Sequence, residues 1–382
     1  MKTFDIRRSL EERLPGVFQR IITWLSGLPA SGATLRMRSE VEAVLTGFAT
    51  FWAGALLGTA LARYGDGALA LLPVASTITV GAARYLQLSV YHHCAHDNVI
   101  SAWVSLWIGR AIASMLVIER FDVYAPKHCK EHHGRHTVST RVDATVQFLV
   151  DLLCIAPGAP VEENRRRFLR GLVSPRVHAR MLANRLASQF GAGASWGNRL
   201  ATGGYLVALA ATAVAAGMVL PFLIGFVLPV TFGYQVAQIA RLMVEHRWAA
   251  EPAVGGRRSV AQHDELTVAV RCVIALPTRN TPITMAMWSA EMAFNVLIRC
   301  TVLPGDSGPA HQWHHGQARG DWVNYIQAAA AWEEARRAKG LPPSTAAWGY
   351  RSALRMMLES FAAAKPESLA APALYSNQLQ QV

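Results

Sequence analysis

Residues 200–240 read LATGGYLVALAATAVAAGMVLPFLIGFVLPVTFGYQVAQIA, 41 positions without one formally charged side chain. At about 1.5 Å per residue that is about 60 Å of helix, twice the hydrocarbon core of a bilayer. The stretch therefore predicts two membrane spans, 200–218 and 222–240, with the bend between Met218 and Phe222 where Pro221 interrupts the helix. A second such pair lies upstream. Residues 43–62 are 20 positions without a formal charge, Arg63-Tyr64-Gly65-Asp66-Gly67 has turn chemistry, and a further apolar run covers 68–90. The expected architecture is an all-α integral membrane protein with four transmembrane helices in two hairpins, carrying a cytosolic helical cap.

Composition agrees. The 382 residues are 52% hydrophobic and only 16% charged, with a mean hydropathy of +0.21, whereas about 25% charge is usual for soluble domains. The net charge of +12 fits basic loops facing anionic lipid better than nucleic-acid binding, for which no motif is present. The five cysteines form no C-x-x-C pair and suit a reducing compartment. No secretory leader is recognised among the seven basic residues of positions 1–40.

The outer turns carry little charge, while the N-terminus and the segments after each hairpin are rich in Arg. The positive-inside rule then puts both termini and the cap in the cytosol. Residues 99–118 and 144–157 are also apolar but contain Arg110 and Asp151, and a mid-membrane Arg costs roughly 2.5–3.5 kcal/mol. These two, with 266–276 and 282–298, are expected to be amphipathic helices at the interface. The expected organisation is a cytosolic segment 1–42, a membrane domain 43–330, and C-terminal helices with a mobile tail over 331–382.

Ten of the 13 histidines fall in three clusters: His92-His93-Cys94-Ala95-His96, His128-Cys129-Lys130-Glu131-His132-His133 with His136, and His311-Gln312-Trp313-His314-His315. Imidazole is the commonest protein ligand of first-row transition metals. Positions i, i+3 and i+4 share one helix face, so each cluster presents a ligand patch. The hairpin topology places all three clusters, and His246 just after the fourth span, on one membrane face. A metal transporter or metal-binding membrane protein is the alternative from another class. The spans 43–62 and 200–240, without any ionisable residue, count against it.

The order H-x3-H, H-x3-HH, hairpin, H-x-x-HH resembles the integral-membrane fatty-acid desaturase/hydroxylase family over roughly residues 40–330. Arg135-His136-Thr137 closing the second box and Val244-Glu245-His246 after the fourth span strengthen the likeness. The resemblance implies a di-iron, O2-dependent enzyme that introduces a double bond into an acyl chain; the alternative is a hydroxylase or other monooxygenase on the same scaffold. It implies nine ligands, His92, His96, His128, His132, His133, His246, His311, His314 and His315. His93, about 100° round the helix from His92, is expected to face elsewhere. His136 fits a supporting role, and Asp97, Glu131, Glu245 and Asp321 are candidate carboxylates behind the ligands. Cys94 and Cys129 read as small packing residues, and Trp313 as a neighbour of the metal site or substrate tunnel.

Two departures from the family stand out: Leu242 where some members have Asn, and Gly316 to Trp322 without the usual proline. No His-Pro-Gly-Gly heme segment appears, so electrons are expected from a separate carrier (ferredoxin, rubredoxin or a cytochrome b5-like protein) with its reductase. The expected location is a bacterial inner membrane.

Overall fold

The computed structural model describes residues 5–251 and 258–370. Three of its helices are long and apolar enough to cross a membrane: Glu40–Tyr64, Gly67–Ala95 and Val219–Leu242. The first starts where Ser39 accepts from the Glu42 N–H, with Glu40 and Glu42 in the first turn, and stops at Gly65, whose φ of 65° suits glycine. Its outer face exposes Leu45, Leu56 and Leu57, while Phe51 and Ala55 are buried inward, the arrangement expected of a helix that meets lipid on one side and protein on the other. Gly58 lies against Gly225 so closely that a Cβ on either would overlap the other's backbone. Small residues at such a crossing let two helices approach within van der Waals contact, which apolar solvent alone does not drive.

The third of the four expected spans differs. Helix Trp196–Ala215 occupies its place with 20 residues, but Asn198 and Arg199 in its first turns leave it less apolar than the other three. The break after this helix comes just before the expected Met218–Phe222 bend, and Pro221 does not cause it. Its agent is Gly217, at φ 63°, and Pro221 lies in the first turn of the next helix, where no N–H is needed. Pro229, deeper in that helix, is absorbed by a π turn over Pro229–Gly233.

Helices Ala102–Leu116 and Phe121–His132 meet at 114°, turning at Val117, which has φ 50°. Trp103 and Trp107 are exposed on the first of them, as at a membrane–water boundary. The stretch 266–276 is a correction. Instead of an amphipathic helix it contains the strand Ala269–Arg271, paired in parallel with Ala346–Trp348. Val268 and Val270 flank Ala269, and the strand is buried throughout, Arg271 included; a short segment covered on both faces suits a strand better than a one-sided helix. Thr345 and its neighbours likewise join this sheet before helix Tyr350–Ala363 begins. The expected mobile tail is anchored at first: Leu369 is buried and its carbonyl accepts from Arg141 N–H at 2.8 Å, while 371–382 lie outside the described residues.

Candidate metal centre

The first box ends the long helix Gly67–Ala95, and a π turn over Leu86–Tyr91 precedes it. The second box is itself a π turn, His128–His132, in which His133 N–H donates to His128 C=O at 3.1 Å. An i→i+5 turn is wider than an α turn, so His133 stands over His128 rather than well round the helix. That is how H-x3-HH divides its histidines. His128 and His133 go one way and His132 the other. The third box is the short helix His311–Gly316. Buried Arg299 holds the loop before it, donating to the carbonyls of Leu303 and Gly305. Gly305, at φ 65°, presses this loop onto Ser89 in the π turn below the first box.

The nine sequence-selected histidines gather in two groups. His92, His96, His128, His133 and His314 form one; His132, His246, His311 and His315 form the other; within each, the donor atoms all lie within 4.8 Å of one another. In the first, Nε2 atoms approach to 2.5 Å (His92–His314), 3.0 Å (His128–His133) and 3.2 Å (His133–His314). In the second, His246 Nε2 is 3.2 Å from that of His132 and 3.0 Å from that of His311. Two nitrogens each about 2.1 Å from one metal, at right angles, stand about 3 Å apart, so these spacings match shared ligation.

The donor set supports the same fit. His96 Nε2 and both ring nitrogens of His315 are buried without a hydrogen-bond partner, a costly arrangement unless something else occupies them. Burial, then the charge of neighbouring imidazoles, holds His133, His246, His314 and His315 well below the usual histidine range. Burial and then Arg241 do the same to His311, and His96 is pulled down to about 3, chiefly by burial. All are therefore neutral at physiological pH, the form that binds metal.

Behind the histidines stand carboxylates that sequence proximity picked poorly. Asp143, eleven residues past His132, is buried and lies 3.1 Å from His132 Nδ1, while also accepting from Ser139 and Thr145 N–H groups. Asp306 lies 2.9 Å from His93 Nε2 and accepts from Ser89 Oγ at 3.0 Å. Of the four candidates only Glu245 approaches a ligand, at 3.9 Å from His311 Nδ1, and it is paired with Arg241. Asp97 is exposed, Asp321 accepts from Asn324, and Glu131 lies on a cavity wall. His93 stacks on Trp322 with ring centroids 5.2 Å apart, although together with Asp306 and His314 it forms a third possible donor cluster. Cys94 is buried in the helix core, and Cys129 Sγ donates to Ala95 C=O. Trp313 packs on Ala310 and Tyr325.

A cavity of about 460 Å³ reaches these groups, its wall touching His128 of one and His132 of the other. Tyr124, stacked on His128 at 5.0 Å, and Tyr91 line it beside Leu88, Ile118, Phe148 and Leu242.

Two adjoining histidine groups carried on helices apolar enough to cross a membrane define a candidate metal centre of the histidine-box class. The chain belongs to the fatty acid desaturase family, whose sequence profile matches residues 68–284. That match spans the first two boxes and His246 and ends before the third. No curated protein matches the chain.

Proposed function

We propose that the protein is a membrane-bound, O2-dependent acyl-lipid desaturase whose nine histidines hold two iron ions. The observation that carries this reading is the cavity wall that joins His128 and His132, one donor from each group, so that a bound chain passes both. The five-histidine and four-histidine groups would each hold one ion, and such a pair supplies the redox capacity to use O2 against an unactivated C–H bond. The chain's own residues do the rest. Leu88, Ile118, Phe148, Leu152 and Leu242 grip alkyl carbons and keep water from the reacting segment. Asp143 fixes the His132 tautomer by accepting from Nδ1–H, which leaves Nε2 free to ligate. Arg180, exposed at the cavity and with no partner among the described residues, suits an anionic head group.

The reading includes four crossings, with helix Trp196–Ala215 as the third, which puts every box on one face, in the cytosol. Electrons come from an external ferredoxin, rubredoxin or cytochrome b5-like carrier with its reductase, and a bacterial inner membrane is the proposed location. One observation favours hydroxylation as the second reading: Gln87, Gln238 and Glu131 share the cavity with the alkyl-binding residues. That lining suits a substrate with polar groups near the reacting carbon. Lipid profiles with and without expression decide between the two. Loss of two hydrogens from a lipid supports desaturation, gain of one oxygen supports hydroxylation, and an unchanged profile in the presence of a working electron donor overturns both.

A further inference from the structure

The two histidine groups are unequal, five donors against four, and a buried histidine outside both stands beside the smaller one. His263 is 5% exposed, and its Nε2 is buried with no hydrogen-bond partner. A histidine buried only for packing looks different. His178 is also buried, but its Nδ1 meets Gln235 at 2.9 Å and its Nε2 meets the Leu172 carbonyl at 2.9 Å. His263 lacks that second partner, and leaving a buried polar atom unmatched costs about 1–3 kcal/mol.

Its position is firmly set. The helix Val260–Leu266 opens with a Ser259/Gln262 capping box, and its exit is bridged to the second group itself, Thr267 pairing with His246. Asp264 is held by Arg336 at 2.8 Å, its carbonyl accepts from Gln312 of the third box, and its carboxylate lies 3.9 Å from His263 Nδ1. The His263 ring is 5.8 Å from that of His315. Within the group, His315 stands 4.7 Å from His311 and 4.9 Å from His246. His263 is not among the mutually close donor atoms of the group, yet its ring is close enough to act through a small intermediary.

We propose that His263 completes the four-histidine centre by holding, through its Nε2, a water molecule on that centre's metal. It is a positioning residue and rests on the two-metal reading above. The water would bring the smaller group to five donors, and His263 Nε2 would accept a hydrogen bond from it.

The test is a stepwise titration of metal-free full-length protein with Co(II), followed by absorption spectroscopy. Wild type should take two ions. In H263L the second should bind about 10–100-fold more weakly, with a changed ligand-field band, while the first is unaffected. H263N, whose carboxamide still holds a water, should return to within about threefold of wild type. Two ions of unchanged affinity and spectrum in H263L would overturn this inference and leave the two-metal reading standing. Wild type binding fewer than two ions would overturn both. Because H263L could misfold, a second measurement uses wild type alone: Mn(II)-loaded protein in D2O should show an exchangeable deuteron coupled to the four-histidine ion by pulsed EPR, and its absence sinks the proposal.

Discussion

The five-histidine group and the four-histidine group share two boxes yet are built differently. In the larger group His92 stands on the last turn of a 29-residue candidate span, His96 is the cap residue directly after it, and His128 stands on the Phe121–His132 helix. The smaller group takes His246 from a turn after the Val219–Leu242 helix, and that turn is braced by an isolated bridge to Thr267. It also has the closer carboxylates, Asp143 at His132 and Glu245 near His311. The difference teaches where rigidity comes from. The first group draws two donors from the end of one long span, whereas the second, with His311 and His315 on the short third-box helix, adds a bridged turn and carboxylates that hold its rings.

Ligand removal should strike both groups hardest. His132→Ala and His314→Ala, one from each, should each abolish product formation, with metal content falling from two ions towards one; full activity in either variant would dissolve the distinction between the groups. The carboxylates come next. Asp143→Asn should weaken metal binding at the four-histidine group about 10–100-fold, whereas Asp306→Asn, which touches His93 rather than a member of that group, should leave it within a few-fold. Equal losses in a metal titration would show that the two groups are braced alike.

Acid should act on both at once, and the sign follows from burial. The metal-free histidines outside the spans, such as His133 and His315, are held well below their unfolded value of about 6.5. Below that pH the unfolded chain binds more protons, so metal-free protein should lose stability as pH falls from 7.5 to 5.5. Thermal unfolding in detergent measures this, and an unchanged or higher midpoint at pH 5.5 contradicts it. The smallest effect belongs to His93→Ala. It leaves Asp306 Oδ2 without its imidazole partner and removes the stack on Trp322, for a stability loss of about 1–3 kcal/mol, but both metal ions should remain. Loss of an ion in this variant would promote His93, with Asp306 and His314, to a metal site of its own.

The sequence carried the nine histidines that gather in two groups because histidine spacing on helices is periodic, and it carried the long apolar helices because uncharged runs have a length the bilayer limits. His246 was legible through topology and through the likeness of Val244-Glu245-His246 to the family's isolated histidine. Asp143 and Asp306 were not legible, since each reaches its histidine through a turn rather than a helical repeat, and nearness in sequence favoured Asp97 and Asp321 instead. The strand at Ala269–Arg271 was missed because a short buried apolar run has no period to separate strand from helix. The third span stayed ambiguous for a related reason: Arg199 opens a helix whose remainder is wholly uncharged.

The central claim is that these nine histidines hold two iron ions. Iron quantified per chain on purified, active protein loaded with 57Fe, with Mössbauer spectra of the same sample, tests it most directly. The account predicts close to two ions per chain in two nitrogen-rich environments. Full activity with one ion or fewer, or with zinc alone, would contradict it.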